Sequence, residues 1–321
     1  MAAPGSMPGG REDIPVPQDD TIRDAKLLAR LYANPRLHRL VPDSLAVEVA
    51  GRVGPAMRQR RNPNERRDAE TFMRQLLQHT PRAAEAPELA RRWLAQKSRT
   101  GEVFWRPWLM DRARIEGAEH WEAARAEGKG VVLVFGHIVG AWLMPGILGT
   151  KGYPVYIVIG PHYYAPMPRG YEGLALMHRR VAYGENVLPM DHIVLATSPP
   201  QRFLDILAAG EVVAVAFDAP GRAATPFLGR TVGFGGAPAR LAFETGAKVL
   251  PAVPELEGTQ LTMRFYPPID PVQFEDHTAL RAAIAATFEP IVLARPEAVE
   301  LAWIPCPLVT EVEAKEVPAS S

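Results

Sequence analysis

His137 is the residue of this chain best placed to do chemistry. It follows Gly130-Val-Val-Leu-Val-Phe135, a short continuous apolar run that reads as a buried strand, and it precedes Ile138-Val-Gly-Ala-Trp142, which reads as the opening of a helix. An imidazole at such a turn, beside helix N-terminal amides, can take a proton from a hydroxyl or an amine near neutral pH. A histidine without context is more often structural, so the strand-end position is what singles this one out. Asp218 stands in a similar place after Val212-Val-Ala-Val-Ala-Phe217, either as an acid holding its own loop or as a group facing a substrate. Arg222 and Arg230 flank the loop that follows, and His162, Arg169, Arg179 and Arg180 follow another apolar run. Guanidinium forks in these places suit a phosphate, sulfate or carboxylate, although surface arginines pair as readily with nearby acids. Gly233-Phe-Gly-Gly236 lacks the Lys-Ser/Thr ending of a phosphate loop.

The elements that carry these residues alternate. Apolar runs at 130–135, 155–159, 212–217 and 248–253 read as strands, and helical patterns fall at 140–150, 170–182, 200–209 and 237–246. The expected fold is α/β: a mixed, mainly parallel sheet with helices on both faces, with its site beyond the carboxyl ends of the strands. Ahead of it, helical patterns begin at Thr21 and recur at 43–61, 65–79 and 87–100. The organisation this predicts is a disordered tail over 1–19, an N-terminal helical cap over 20–125, the α/β core over 126–305 and a tail over 306–321. No fixed period repeats along the chain, which argues against a solenoid.

Composition narrows the function classes. The 321 residues carry 36 Lys/Arg and 36 Asp/Glu, so a nucleic-acid binder is not indicated. The charge is uneven: residues 20–125 hold 21 basic and 14 acidic side chains. That basic layer, led by Arg58, Arg60, Arg61, Arg66 and Arg67, could meet anionic lipid or an acidic carrier protein, or be a solvated helical face. The single cysteine, Cys306, allows no disulfide within the chain and no thiolate zinc site. No apolar stretch approaches a membrane span, and no signal-peptide pattern opens the chain. The expectation is a cytoplasmic protein with at most peripheral membrane contact, no metal and no cofactor.

Several blocks, in order, carry a resemblance. Gly128-Lys-Gly-Val-Val-Leu-Val-Phe-Gly-His137, Gly152-Tyr-Pro-Val-Tyr156, Leu207-Ala-Ala-Gly-Glu-Val-Val-Ala-Val-Ala-Phe-Asp218, Pro226-Phe-Leu-Gly-Arg230, Ala239-Arg-Leu-Ala-Phe-Glu-Thr-Gly-Ala-Lys-Val-Leu-Pro251 and Arg295-Pro-Glu…Trp303 resemble the bacterial lipid A lauroyl/myristoyl acyltransferases and the related phosphatidylinositol mannoside acyltransferases. The resemblance spans roughly 90–305. It implies acyl transfer from a thioester, with a histidine base paired to a carboxylate five residues on and basic groups holding phosphates.

This chain departs from that pattern. Trp142 stands where the carboxylate belongs, and the next acid in sequence is Glu172. Asp218 or another strand-end acid could substitute for it sterically, which the sequence does not show. Nor does an apolar anchoring helix open the chain. The two departures together speak against ordinary lipid A acylation. The reading that follows is transfer of an acyl group from acyl-CoA or acyl carrier protein to a small soluble acceptor in a natural-product pathway, with His137 as base. The alternatives are ring closure, as in aziridine formation, by displacement of an anionic leaving group on the same scaffold, and a non-catalytic partner subunit.

Overall fold

The computed structural model describes residues 35–138, 140–160 and 190–300. Its centre is a seven-stranded sheet in the order β1-β9-β8-β2-β5-β3-β4. The strands are β1 (Arg114–Glu116), β2 (Val131–Phe135), β3 (Tyr156–Ile159), β4 (Ile193–Leu195), β5 (Val212–Ala216), β8 (Lys248–Glu257) and β9 (Gln260–Phe265); β6 (Pro220–Phe227) and β7 (Arg230–Phe234) form a separate hairpin. Neighbours pair in parallel except β8 and β9, so the sheet is mixed and mainly parallel.

The apolar runs become strands because both of their faces are covered. β2 is buried along its whole length between β5 and β8, and no polar alternation interrupts it. Its start needs a glycine: Gly130 has φ 75°, and a Cβ there would meet the Leu207 carbonyl oxygen at 2.5 Å. On such a strand polar side chains can sit only past the end, which is where His137 lies.

The longer helices are α1 (Asp43–Arg61), α2 (Glu65–Leu77), α3 (Ala86–Phe104), α4 (Ala118–Arg125), α5 (Met144–Thr150), α6 (Pro200–Ala208), α7 (Ala237–Thr245) and α8 (His277–Ala294). Helix α7 lies across β2, β5 and β8 and touches α6 and α8, while α4 lies against β8 and β9 and α5 against β9. The β6–β7 hairpin rests on α8, where the Arg281 Nε donates to the Thr225 hydroxyl at 2.9 Å.

Helices α1, α2 and α3 pack together as the cap. Most of its basic side chains are matched to acids on the same surface: Arg58 and Lys97 to Glu65, Arg66 and Arg74 to Glu70, and Arg91 and Arg92 to Glu88. The exposed pairs among them contribute little stability. Beneath lies Arg106, 1% exposed, which bonds Asp43 at 2.7 Å, Glu102 at 3.0 Å and the Val41 carbonyl at 3.1 Å. The cap is tied to the core by side chains that reach main-chain carbonyls: Arg82 to Leu293 at 2.5 Å and the Trp93 indole to Val299 at 2.6 Å.

Two boundaries differ from the sequence reading. β1 pairs with β9, so residues of the sheet begin at Arg114, before the expected boundary at 126. The helix expected over 140–150 opens later, at Met144, after a 3-10 turn over Ala141–Leu143; Pro145 suits the first turn of a helix, and Gly140 at φ 87° turns the chain into it.

Candidate active site

The parallel register of β2 and β5 builds the centre of the site. Phe135 pairs with Ala216 and the Phe217 amide donates to the Phe135 carbonyl, so two residues further along each strand His137 lies beside Asp218. The Asp218 carboxylate takes two hydrogen bonds from that one residue. Oδ1 lies 2.7 Å from the His137 ring Nδ1, and Oδ2 accepts the His137 backbone N–H at 2.7 Å. Beneath them Phe217 stacks on Phe288 at 4.2 Å and meets the edge of Phe234 at 5.3 Å, which holds the end of β5 in place.

The pair is enclosed, with His137 7% and Asp218 3% exposed. Burial alone would push the imidazole toward its neutral form. The charge and hydrogen bond of Asp218, with the charge of Glu300, outweigh that and hold the His137 pKa above its ordinary value. With Nδ1–H given to the carboxylate, Nε2 carries the lone pair.

His137 opens on a cavity of about 520 Å³ at the carboxyl ends of β2, β3 and β5. Phe135, Ile157, Ile159, Val215, Phe203 and Leu241 make most of its wall apolar, and Ser198, Arg240 and Glu244 add polar groups. Such a cavity, apolar with a few convergent polar groups and a perturbed histidine, is what a small-molecule site requires.

A third group meets the histidine from the end of the described chain. Val299 forms an antiparallel bridge with Ile138, and the Glu300 N–H donates to the His137 carbonyl at 2.7 Å. The Trp142 indole and the Gly140 amide favour the charged form of the Glu300 carboxyl. Glu300 is half-buried as a residue, but its carboxyl points inward. Burial raises that carboxyl to about 7 against the opposing charges of His137 and Lys97 and the two donors.

The family model of the bacterial lipid A biosynthesis acyltransferases matches residues 36–304. The chain belongs to this family. Membership carries a general acyltransferase function. No curated protein matches the chain. Among solved structures it is similar to the 1-acyl-sn-glycerophosphate (LPA) acyltransferase PlsC from Thermotoga maritima, with 16% identity, a TM-score of 0.35, and coverage of 63% of this chain and 83% of that one.

Against the family's pattern of an acid five residues after the histidine, this lipid A acyltransferase family member keeps Trp142, whose ring lies 5.7 Å from that of His137. Asp218, expected among the substrate-binding groups, is instead taken up by His137. Arg230, expected near an anion, is buried and turned away: its guanidinium bonds the carbonyls of Gln75 and Leu76, which α2 leaves open at its end. Arg222 is exposed on β6 and does not line the cavity. His162, Arg169, Arg179 and Arg180 lie outside the described residues, as does Cys306. Glu300 and Arg240 were not singled out in the sequence. Both sit in blocks that carry the resemblance or adjoin one, and nothing local marks either as facing His137 or the cavity. Among the described residues no cluster of His, Cys, Asp or Glu could hold a metal, and no helix is long and apolar enough to cross a membrane.

Proposed function

We propose that this protein transfers an acyl group from a thioester, acyl-CoA or acyl carrier protein, to the hydroxyl or amine of a small acceptor, with His137 as general base. The observation that carries the reading is the 2.7 Å bond from His137 Nδ1 to Asp218 on the wall of a largely apolar cavity. Nε2 takes the acceptor's proton as its oxygen or nitrogen attacks the thioester carbonyl. The tetrahedral adduct collapses with cleavage of the carbon–sulfur bond, and the imidazolium returns the proton to the departing sulfur. Asp218 keeps the ring in one tautomer and stabilises the imidazolium as it forms. The apolar wall receives the acyl chain and excludes water, so hydrolysis does not compete. The chain's place is then a specialised pathway that acylates a soluble intermediate in the cytoplasm, and the basic cap offers a surface to an acidic carrier protein.

Arg240 supports a second reading. It lines the same cavity as His137, and the two cations would stabilise an anionic leaving group during an intramolecular displacement.

Thiol release in single-turnover experiments with acyl-CoA and acyl carrier protein separates the two. Under acyl transfer, His137→Ala slows release by roughly 10²–10⁴-fold, and His137→Gln is as poor. If Gln keeps most of the activity on a substrate with an anionic leaving group, the displacement reading replaces it. Full activity in His137→Ala removes both roles for His137, and no turnover by the parent on either kind of substrate leaves a non-catalytic partner subunit.

A further inference from the structure

We propose that Phe135 and Trp142 form an aromatic subsite against His137, so that the hydroxyl or amine acylated here is one carried on an aromatic group. The inference rests on acyl transfer for the role of the acceptor, but its test reads binding.

Local geometry builds the subsite. Phe135 and His137 stand two residues apart at the end of β2, so their side chains leave the same face of the sheet, and their rings lie 6.2 Å apart at 59°. Trp142 comes back to the imidazole because the turn after His137 bends at Gly140, with φ 87°, and enters the 3-10 turn over Ala141–Leu143. Its ring lies 5.7 Å from that of His137 at 56°. The imidazole thus has two tilted aromatic neighbours, and all three rings line the cavity. Asp218 already holds Nδ1, so the fifth position after the histidine is not needed to orient the base. The residue that stands there shapes the space a substrate enters.

That space has two ends. The cavity follows the carboxyl ends of β2, β5, β3 and β4, a course of three strand spacings or about 14 Å. The far end, at β4 and α6, is lined by Phe203 and Leu204 and suits the acyl chain. The near end must hold the attacking group, since Nε2 takes a proton only within hydrogen-bond reach. There Phe135, Ala141, Trp142 and Pro145 surround His137, while Arg240 and Glu244, the other charged lining groups among the described residues, stand exposed on α7. A sugar at the near end would lose water from hydroxyls that find few partners. An aromatic ring has no such loss. It gains offset or edge contacts with the two rings, which favour it over a saturated ring of the same size by about 2- to 10-fold.

Benzyl alcohol and cyclohexylmethanol carry the same hydroxyl on rings of the same size and isolate this effect. Their binding is followed by ¹H–¹⁵N NMR of the imidazoles, with the His137 signal assigned from its loss in His137→Ala. The parent is expected to bind benzyl alcohol about 2- to 10-fold more tightly, with the His137 signal shifting as it binds. Trp142→Leu keeps apolar bulk without the ring and brings the two affinities together, as does Phe135→Leu, while Trp142→Phe keeps the preference. Equal binding of the two alcohols by the parent overturns the proposal, and this comparison needs no variant to fold. So does a preference that persists in both leucine variants, or benzyl alcohol binding that leaves the His137 signal unmoved. A preference held by a parent that releases no thiol from acyl-CoA supports the subsite and overturns the acyl-transfer reading instead. Thiol release no faster with benzyl alcohol than with cyclohexylmethanol overturns the subsite and leaves acyl transfer standing.

Discussion

Asp218 grips His137 by ring and backbone at once, at 2.7 Å in each case, across a sequence separation of 81 residues. One carboxylate thus fixes the position of the residue and the tautomer of its side chain. No other pair in the site is held by two such bonds among the described residues, and the first consequence concerns this carboxylate.

Asp218→Asn keeps the shape but has one acceptor oxygen for two donors. Its amide N–H groups then face either the ring or the His137 backbone N–H, and a ring bonded to that amide is pushed into the wrong tautomer. The expected result is a fall in kcat of roughly 10²–10⁴-fold and a loss of about 1–3 kcal/mol in stability from the unpaired buried donor. Single-turnover thiol release and urea unfolding measure the two. Parent-like turnover would show that Asp218 does not govern the base.

Trp142→Glu restores the family's acid five residues after the histidine, yet it should impair this protein. His137 Nδ1 is already bonded to Asp218, and a new carboxylate would replace an indole that favours the charged form of the Glu300 carboxyl. Two enclosed acids so close cannot both ionise. The expected outcome is reduced turnover and a lower unfolding midpoint at pH 8 than at pH 6. A gain of thioester turnover would contradict the geometry described here.

Stability should fall as the pH rises through neutrality. The Glu300 carboxyl is raised from 4.5 to about 7 in the fold, so between those values the folded state binds the proton that the unfolded chain has lost. Unfolding free energy then decreases with pH across that window, by on the order of 3 kcal/mol at most. The raised His137 acts in the same direction, since its contribution is full below its unfolded value and is lost as pH passes its folded one. Urea midpoints at pH 5 and pH 8 check this: the parent loses stability on going to pH 8, and Glu300→Gln loses less.

Arg106 is a stability residue remote from the chemistry. Arg106→Met keeps an apolar stem but strips the Val41 carbonyl of its guanidinium donor and leaves Glu102, among the described residues, with His38 alone, while Asp43 retains Trp108 and Arg112. A loss of about 2–3 kcal/mol is expected. The His137 titration should stay where it is in the parent, and a shift there would mean that the cap and the turn are coupled more tightly than their contacts indicate.

How much of this was legible beforehand differs from residue to residue. The unbroken apolar runs of β2 and β5 could only be strands buried on both faces, so the place of His137 and of Asp218 at two strand ends was determined locally. The same local logic reached the cap helices and the alternation of the core. It did not reach the β6–β7 hairpin, whose strand is interrupted by Pro226 and whose register shifts between Pro220 and Ala223.

What only the tertiary structure decided is which strands are neighbours and what the long side chains reach. Nothing in Gly130–His137 says that β5 rather than β3 lies beside it, yet that adjacency is what supplies a carboxylate in place of Trp142. Nothing in the sequence around Arg230 says that its guanidinium turns to the end of α2, nor that Glu300 folds back onto the turn after β2. The reason is physical. Periodicity records which face of a segment is apolar, a property of a few consecutive residues, whereas adjacency is set by the packing of the whole sheet against its helices. A buried donor or acceptor then takes whichever partner that packing brings within reach, and in this chain it brought Asp218 and Glu300 to His137.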